Sequence, residues 1–153
     1  MKYLSLFSGV GGFELGIQQA YDNRPNIRNR NQVLREDLPN STEQQDRPTC
    51  IGFSEIDKYA TKVYQHHFPT HKNYGDITTI NEKTLPDFDL LVGGFPCPSF
   101  SIAGKRKGLE DMRGQLVFEI IRILRGKKPK MFLLENVKGL LSHDKGKTME
   151  IIC

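Results

Sequence analysis

Apolar residues in this chain gather into short runs, and each run ends on glycine, proline or an acidic residue. Tyr3 to Phe7 is one such run, and it leads directly into Ser8-Gly9-Val10-Gly11-Gly12. Beyond the turn Phe13, Leu15, Ile17 and Ala20 recur at a spacing that predicts a helix. Cys50 to Phe53 predicts a second strand, closed by Ser54-Glu55-Ile56-Asp57 and followed by a helix through Ala60, Val63 and Tyr64. A third, short strand is expected around Asn73 and Tyr74, reaching Gly75-Asp76-Ile77. Asp89 to Gly93 is dense in Leu and Val, as parallel strands covered on both faces are. Leu116, Ile120, Ile123 and Leu124 fall on one helical face between Gly114 and Gly126, and Lys130 to Glu135 supplies a fifth strand.

Strands alternating with helices in this order predict an α/β fold with a doubly wound, mostly parallel sheet. Its strands would end at the glycine turn, Glu55, Asp76, Cys97 and Glu135, so all five features would meet along one edge. Ligands of open α/β sheets bind at that edge.

The break in this rhythm is the segment 22–49, which has no aromatic residue, three prolines, and five acidic against five basic side chains. It reads as an exposed, mobile insertion in a single domain spanning 1–153, and it explains an apolar share of only 37%. Formal charge is +4, but residues 125–147 hold seven Lys/Arg against Glu135 and Asp144, a local excess of +5. A concentrated basic patch is the footprint expected for a nucleic-acid partner, although a solvated lysine rim has the same composition. Cys50, Cys97 and Cys153 are odd in number and widely spaced, which predicts reduced thiols in the cytoplasm and no zinc motif. No run approaches a membrane span or a signal peptide. His66, His67 and His71 are expected on a helix surface rather than around a metal, and Cys50 in core packing.

The chemistry gathers at Gly93-Gly94-Phe95-Pro96-Cys97-Pro98-Ser99-Phe100-Ser101. A free cysteine is ordinarily a small buried hydrophobe. Prolines on both sides of Cys97, however, fix φ and remove backbone donors, which puts the thiol on a stiff loop at a strand end. The first turn opens like a nucleotide-binding unit, yet Glu14 stands where a GxGxxG pattern needs its last glycine, so a dinucleotide such as NAD is disfavoured. Glu55 offers two oxygens suited to ribose hydroxyls, Asp76 an acceptor for an exocyclic amine, and Phe7 and Ile56 apolar faces for a base. Together these describe an adenosine site without a pyrophosphate.

Phe7-Ser8-Gly9-Val10-Gly11-Gly12-Phe13, Glu55-Ile56-Asp57, Gly75-Asp76-Ile77, Gly93-Gly94-Phe95-Pro96-Cys97 and Glu135-Asn136-Val137 occur in the order found in bacterial DNA cytosine-5 methyltransferases, and the chain resembles the amino-terminal part of that family. The resemblance covers nearly everything outside the insertion. It implies a Rossmann-like fold that binds S-adenosyl-L-methionine through Phe7, Gly9, Gly11, Gly12, Glu55, Ile56, Asp76, Ile77, Pro96 and Leu116. It implies methylation of C5 of cytosine through attack of Cys97 on C6, with Glu135 supporting protonation at N3, in a restriction-modification setting and without a metal. Double-stranded DNA with a flipped cytosine is the implied partner, contacted by Pro96, Ser101, Lys105 and Asn136, with 99–113 matching the family's mobile active-site loop.

The family pattern also implies later motifs that this chain lacks: an arginine-bearing strand, a target-recognition region and a terminal helix completing the cofactor pocket. The sheet would therefore stop after its fifth strand with an unpaired edge and an exposed apolar face. A truncated gene product, a fragment of a longer chain, and half of a split enzyme completed by a second chain all remain open, and the chain alone is expected to be inactive. A related transfer-RNA methyltransferase and a non-catalytic binding remnant are the other readings; Phe95 before Pro96 favours the DNA enzymes.

Overall fold

The computed structural model describes residues 1–23, 47–96, 116–142 and 150. Four strands, β1 (Lys2–Leu6), β2 (Thr49–Ser54), β3 (Leu90–Gly94) and β4 (Met131–Glu135), form one sheet in the order β2-β1-β3-β4. Every pairing is parallel. Three helices cross between strands or begin new units: α1 (Gly12–Asp22), α2 (Lys58–His67) and α3 (Leu116–Lys127), with a short α4 (Gly139–Ser142) after the last strand. The chain winds from β1 outward to β2 and then returns past β1 to β3. This reversal creates a topological switch point between β1 and β3.

The strand expected around Asn73 is reduced to an isolated parallel bridge between Phe53 and Asn73. Its polar side chains explain the difference: Asn73 is engaged in hydrogen bonds to Glu55 and Gly75, and nothing apolar extends it into a ladder. The sheet among the described residues therefore has four strands, and the predicted fifth is β4.

Period-two alternation along β1 divides the interior. Leu4 and Leu6 enter the larger core with Leu91, Ile77, Ile80 and the α3 residues Val117, Ile120 and Ile123. Each of those three helix side chains is fully buried and contributes about 1.5–3 kcal/mol by leaving water. The inward face of α3 is thus centred on Ile120, with Val117 and Ile123 fully buried and Leu116 and Leu124 partly buried beside them. Tyr3 projects to the opposite face of the sheet, towards Cys50, and Phe53, Tyr64 and Phe68 form a second cluster. Phe53 and Tyr64 stack there with ring centroids 3.7 Å apart.

Two features depart from a closed globule. β4 stands at the edge of the sheet with Phe132 61% and Leu133 56% exposed, the unpaired apolar edge that the sequence predicts. On α1 the residue that is fully buried is Glu14, whereas Leu15 faces outward. The insertion expected at 22–49 lies outside the described residues over 24–46; its visible ends are joined by an exposed Arg47–Asp22 ion pair at 3.4 Å. Among the described residues no helix is long and apolar enough to cross a membrane.

Candidate active site

The site is assembled at the carboxyl ends of β1, β2 and β3, around the switch point. β1 ends at Phe7, whose φ of 53° is left-handed and costs on the order of 1 kcal/mol for a residue with a Cβ. Such strain persists where surrounding contacts fix it. Ser8 supplies them: its hydroxyl donates to the Ser5 carbonyl at 3.2 Å or the Ser5 hydroxyl at 2.9 Å, and its amide donates to the Ser54 carbonyl at 3.2 Å. Gly9 follows at φ 54°, and a Cβ built there would meet nothing within 4 Å. A Cβ on Gly12, or on Gly75 at φ 72°, likewise meets nothing within 4 Å. A glycine in the left-handed region with empty space before it leaves room for a group to approach the backbone closely.

Gly11 is different in kind. It caps α1 at φ 96° without a side-chain hydrogen bond, and a Cβ would lie 2.7 Å from the Phe68 ring and 3.3 Å from Tyr64. Its smallness serves the packing of α1 on α2, so any cofactor role falls to its backbone.

Glu55 ties the turn to β2. One carboxylate oxygen, Oε2, accepts the Gly9 amide at 2.8 Å, and Oε1 accepts the amides of Ile56 and Asp57, each at 2.8 Å. Three of about four acceptor directions on a carboxylate are thereby filled, leaving one on Oε2. Ile56, 76% exposed, presents an apolar side chain beside it. Asp76 directs Oδ1 to the amide and hydroxyl of Thr78 at 2.9 and 2.8 Å, which leaves Oδ2 without a partner among the described residues. Ile77, by contrast, is only 2% exposed and lies in the larger core. The expected contact of Ile77 with a cofactor therefore narrows to its backbone. Leu116 lies partly buried at the start of α3, packed on the same core.

Sequence reasoning passed over Asn73, which fixes these pieces relative to one another. Its Oδ1 accepts the amides of Glu55 at 3.3 Å and Gly75 at 2.8 Å, and its Nδ2 donates to the Glu55 carbonyl at 3.0 Å. The Ser54 hydroxyl adds a 2.6 Å bond to the Gly75 carbonyl. A polar residue in a supposed strand was the available signal.

On the other side of the switch point, Gly94 pairs with Glu135 across β3 and β4. A Cβ on Gly94 would lie 3.0 Å from Glu135 Oε2, so the glycine makes the shelf on which that carboxylate rests. Asn136 donates from Nδ2 to the Phe95 carbonyl at 3.1 Å and accepts the Val137 amide at 2.9 Å. Asn136 thus clamps the segment that runs through Pro96 towards Cys97. Cys97, Ser101 and Lys105 lie outside the described residues.

The sequence profile of C-5 cytosine-specific DNA methylases matches residues 1–153, which includes every one of these elements. The chain belongs to this family. The Bacillus phage SPR orphan methyltransferase M.SPRI is 44% identical over 99% of the chain, and the Haemophilus parahaemolyticus type II methyltransferase M.HhaI is 42% identical over the same share. The chain spans 30% and 38% of the lengths of these two relatives. Among solved structures, the S. pombe Dnmt2 methyltransferase superposes with a TM-score of 0.64 at 18% identity, covering 99% of this chain and 39% of that one, a likeness of fold. The DNA (cytosine-5) methyltransferase family thus accounts for the whole sequence, in an α/β methyltransferase fold.

Behind the site lies a buried polar group of residues that the family motifs do not include. Tyr64 donates its hydroxyl to Glu14 Oε1 at 2.9 Å, and His71 Nδ1 lies 3.0 Å from the same hydroxyl. One hydroxyl has one proton, so Nδ1 must be the donor to Tyr64 and His71 is held as the Nδ1–H tautomer. His71 is therefore not a helix-surface residue as expected: it follows α2 and stacks on Phe68 with centroids 5.2 Å apart. Cys50 is half-buried as expected, its thiol pushed up to about 11 chiefly by burial. Among the described residues no group of three His, Cys, Asp or Glu side chains can hold a metal.

Burial holds the His71 imidazole below its usual value, partly opposed by Glu14. The neutral ring is favoured in the folded state, so near pH 6.5 the unfolded chain binds more protons. Stability is expected to be flat above that pH and to fall as pH drops through 6.5 towards the folded-state value. Urea midpoints between pH 8 and pH 5.5 measure this, and His71→Gln should flatten the profile; an unchanged slope in that variant would remove His71 as its cause.

Proposed function

We propose that the chain carries the cofactor-binding and nucleophile-bearing part of a DNA methyltransferase that methylates C5 of cytosine, with S-adenosyl-L-methionine as methyl donor. The observation that carries this reading is the convergence of an open glycine cradle, Glu55, Asp76 and the Gly94–Glu135 shelf at one switch point. The residues present fit the cofactor. The remaining acceptor direction of Glu55 takes a ribose hydroxyl, Asp76 Oδ2 accepts the adenine amine, and Ile56 and Phe7 cover the base. When bound, the cofactor supplies an electrophilic methyl group.

Cys97, as thiolate, forms a bond to C6 of a cytosine flipped out of the duplex, and the displaced ring electrons make C5 nucleophilic. Glu135 holds a proton at N3 so that the ring does not carry full negative charge. Asn136 positions the nucleophile segment through the Phe95 carbonyl. Pro96, Ser101 and Lys105 contact the DNA, and reaching the base costs a few kcal/mol of unstacking.

Two apolar surfaces support a second requirement, that activity needs further polypeptide. These are the exposed β4 edge at Phe132 and Leu133, and Val10 with Leu15 beside the glycine turn. The test uses radiolabelled S-adenosylmethionine and DNA containing 5-fluorocytosine, which traps the adduct. The chain alone is expected to give none. Supplied with a polypeptide bearing the carboxyl-terminal part of a relative, it should give an adduct that Cys97→Ser abolishes. An adduct from Cys97→Ser would overturn the nucleophile assignment, and methyl transfer by the chain alone would overturn the requirement for more polypeptide.

A further inference from the structure

All three guanidinium nitrogens of Arg122, on α3, are engaged. Nε donates to Glu119 Oε2 at 2.8 Å, and Nη2 reaches the same carboxylate at 2.8 Å and the Ile77 carbonyl at 3.0 Å. Nη1 donates to the Ile80 carbonyl at 2.8 Å and to Glu82 Oε2 at 2.6 Å. Three of these acceptors belong to 77–82, which holds the short turn Ile77–Thr79 after Asp76 and the start of the next, Glu82–Thr84. The first turn, Ile77–Thr79, is capped by Asp76 itself. Gly126, one turn further along α3, closes the same contact, since a Cβ there would overlap Glu82. No residue other than arginine presents five donors in a fixed planar fork; a lysine at this position has three on a flexible stem.

We propose that Arg122 is a positioning residue for recognition of the adenine amine. By holding the Ile77 and Ile80 carbonyls it fixes the turn whose cap is Asp76, and thereby aims Asp76 Oδ2 into the cofactor site. The inference rests on the cofactor reading above and goes beyond it by tying base recognition to α3, a helix that also leads into β4. Ile77 is the link: its side chain anchors the turn in the core while its carbonyl takes Nη2.

Amide hydrogen exchange and ligand discrimination test this together on the full chain, using wild type, Arg122→Lys, and Asp76→Ala as reference. Exchange at Thr79 and Ile80 should rise at least tenfold in Arg122→Lys while Ile120 and Ile123 stay protected, which shows that the core is intact. Wild type should bind S-adenosylhomocysteine about ten- to hundredfold more tightly than the 6-oxo analogue S-inosylhomocysteine, the range for a hydrogen bond to a charged group. That preference should collapse to a few-fold in Arg122→Lys, as in Asp76→Ala, with affinity for the inosyl analogue little changed. A purely structural Arg122 would weaken both ligands equally, which overturns the proposal. Unchanged exchange at 79–80 in Arg122→Lys overturns it whether or not either ligand binds. If Arg122→Lys shows the exchange difference but wild type, supplied with the carboxyl-terminal polypeptide used above, binds neither ligand, the cofactor reading itself is overturned.

Discussion

Gly11→Ala is expected to lower the stability of this domain by about 2–5 kcal/mol, a large part of what a domain of this size has. Two separate costs add. An alanine at φ 96° pays roughly 1–2 kcal/mol for the left-handed backbone, and its Cβ at 2.7 Å from Phe68 must displace an aromatic ring already packed against Tyr64 and His71. Overpacking of that kind adds about 1–3 kcal/mol. Gly12→Ala is the contrasting case. Its Cβ meets nothing within 4 Å, and as the first residue of α1 it should leave stability unchanged or raise it by up to about 1 kcal/mol. Its cost should appear in cofactor binding, at about tenfold or more for S-adenosylhomocysteine, because the side chain projects into the open cradle. Denaturant midpoints and binding calorimetry on both variants separate the two roles. A wild-type midpoint for Gly11→Ala would mean that Phe68 yields freely. Undiminished ligand affinity in Gly12→Ala would remove that part of the turn from the cofactor site.

Sequence pattern sufficed for four of the five expected strands and for bringing the glycine turn, Glu55 and Glu135 to one sheet edge, because these are written in local signals. Leu and Val runs mark strands, and a glycine, acid or proline at each strand end marks the edge where a parallel sheet binds ligands. The exposure of Phe132 and Leu133 on β4 agrees with the expected apolar edge. What the pattern could not convey was side-chain accounting. Asn73 looks like part of a weak strand, but its amide reaches back 18 residues to Glu55 and also holds Gly75. Arg122 looks like one solvated cation among many, yet three of its acceptors lie 40 to 45 residues away. Glu14 registered only as a departure from a glycine motif. Each of these depends on which polar atoms the fold brings within 3 Å of one another, and no periodicity encodes that.

Glu14 carries the other large effect. It is fully buried in α1, and its Oε2 has no hydrogen-bond partner among the described residues. The Tyr64 hydroxyl on Oε1 is thus the principal compensation for the carboxylate's loss of water. Tyr64→Phe removes one oxygen atom and barely alters the ring stack with Phe53, yet it should cost about 3 kcal/mol or more, because a buried carboxylate is left without its donor. Glu14→Met in the same background should restore most of that loss by replacing the stranded carboxylate with an apolar chain of similar volume. The double-mutant cycle, read from urea midpoints at pH 8 where His71 is neutral, should therefore show strong coupling between the two positions. Simple additivity would mean that water reaches Glu14 and that the hydroxyl is dispensable. The pair also explains how α1 is held in register beneath the site. Gly11, the cap of α1, and Glu14 within it lie three residues apart, and Phe68 and Tyr64 lie four apart across the end of α2, so the close approach and the hydrogen bond fix the same helix face at two points. A glycine turn that must stay open for a ligand cannot be braced from the ligand side, and these two contacts brace it from behind.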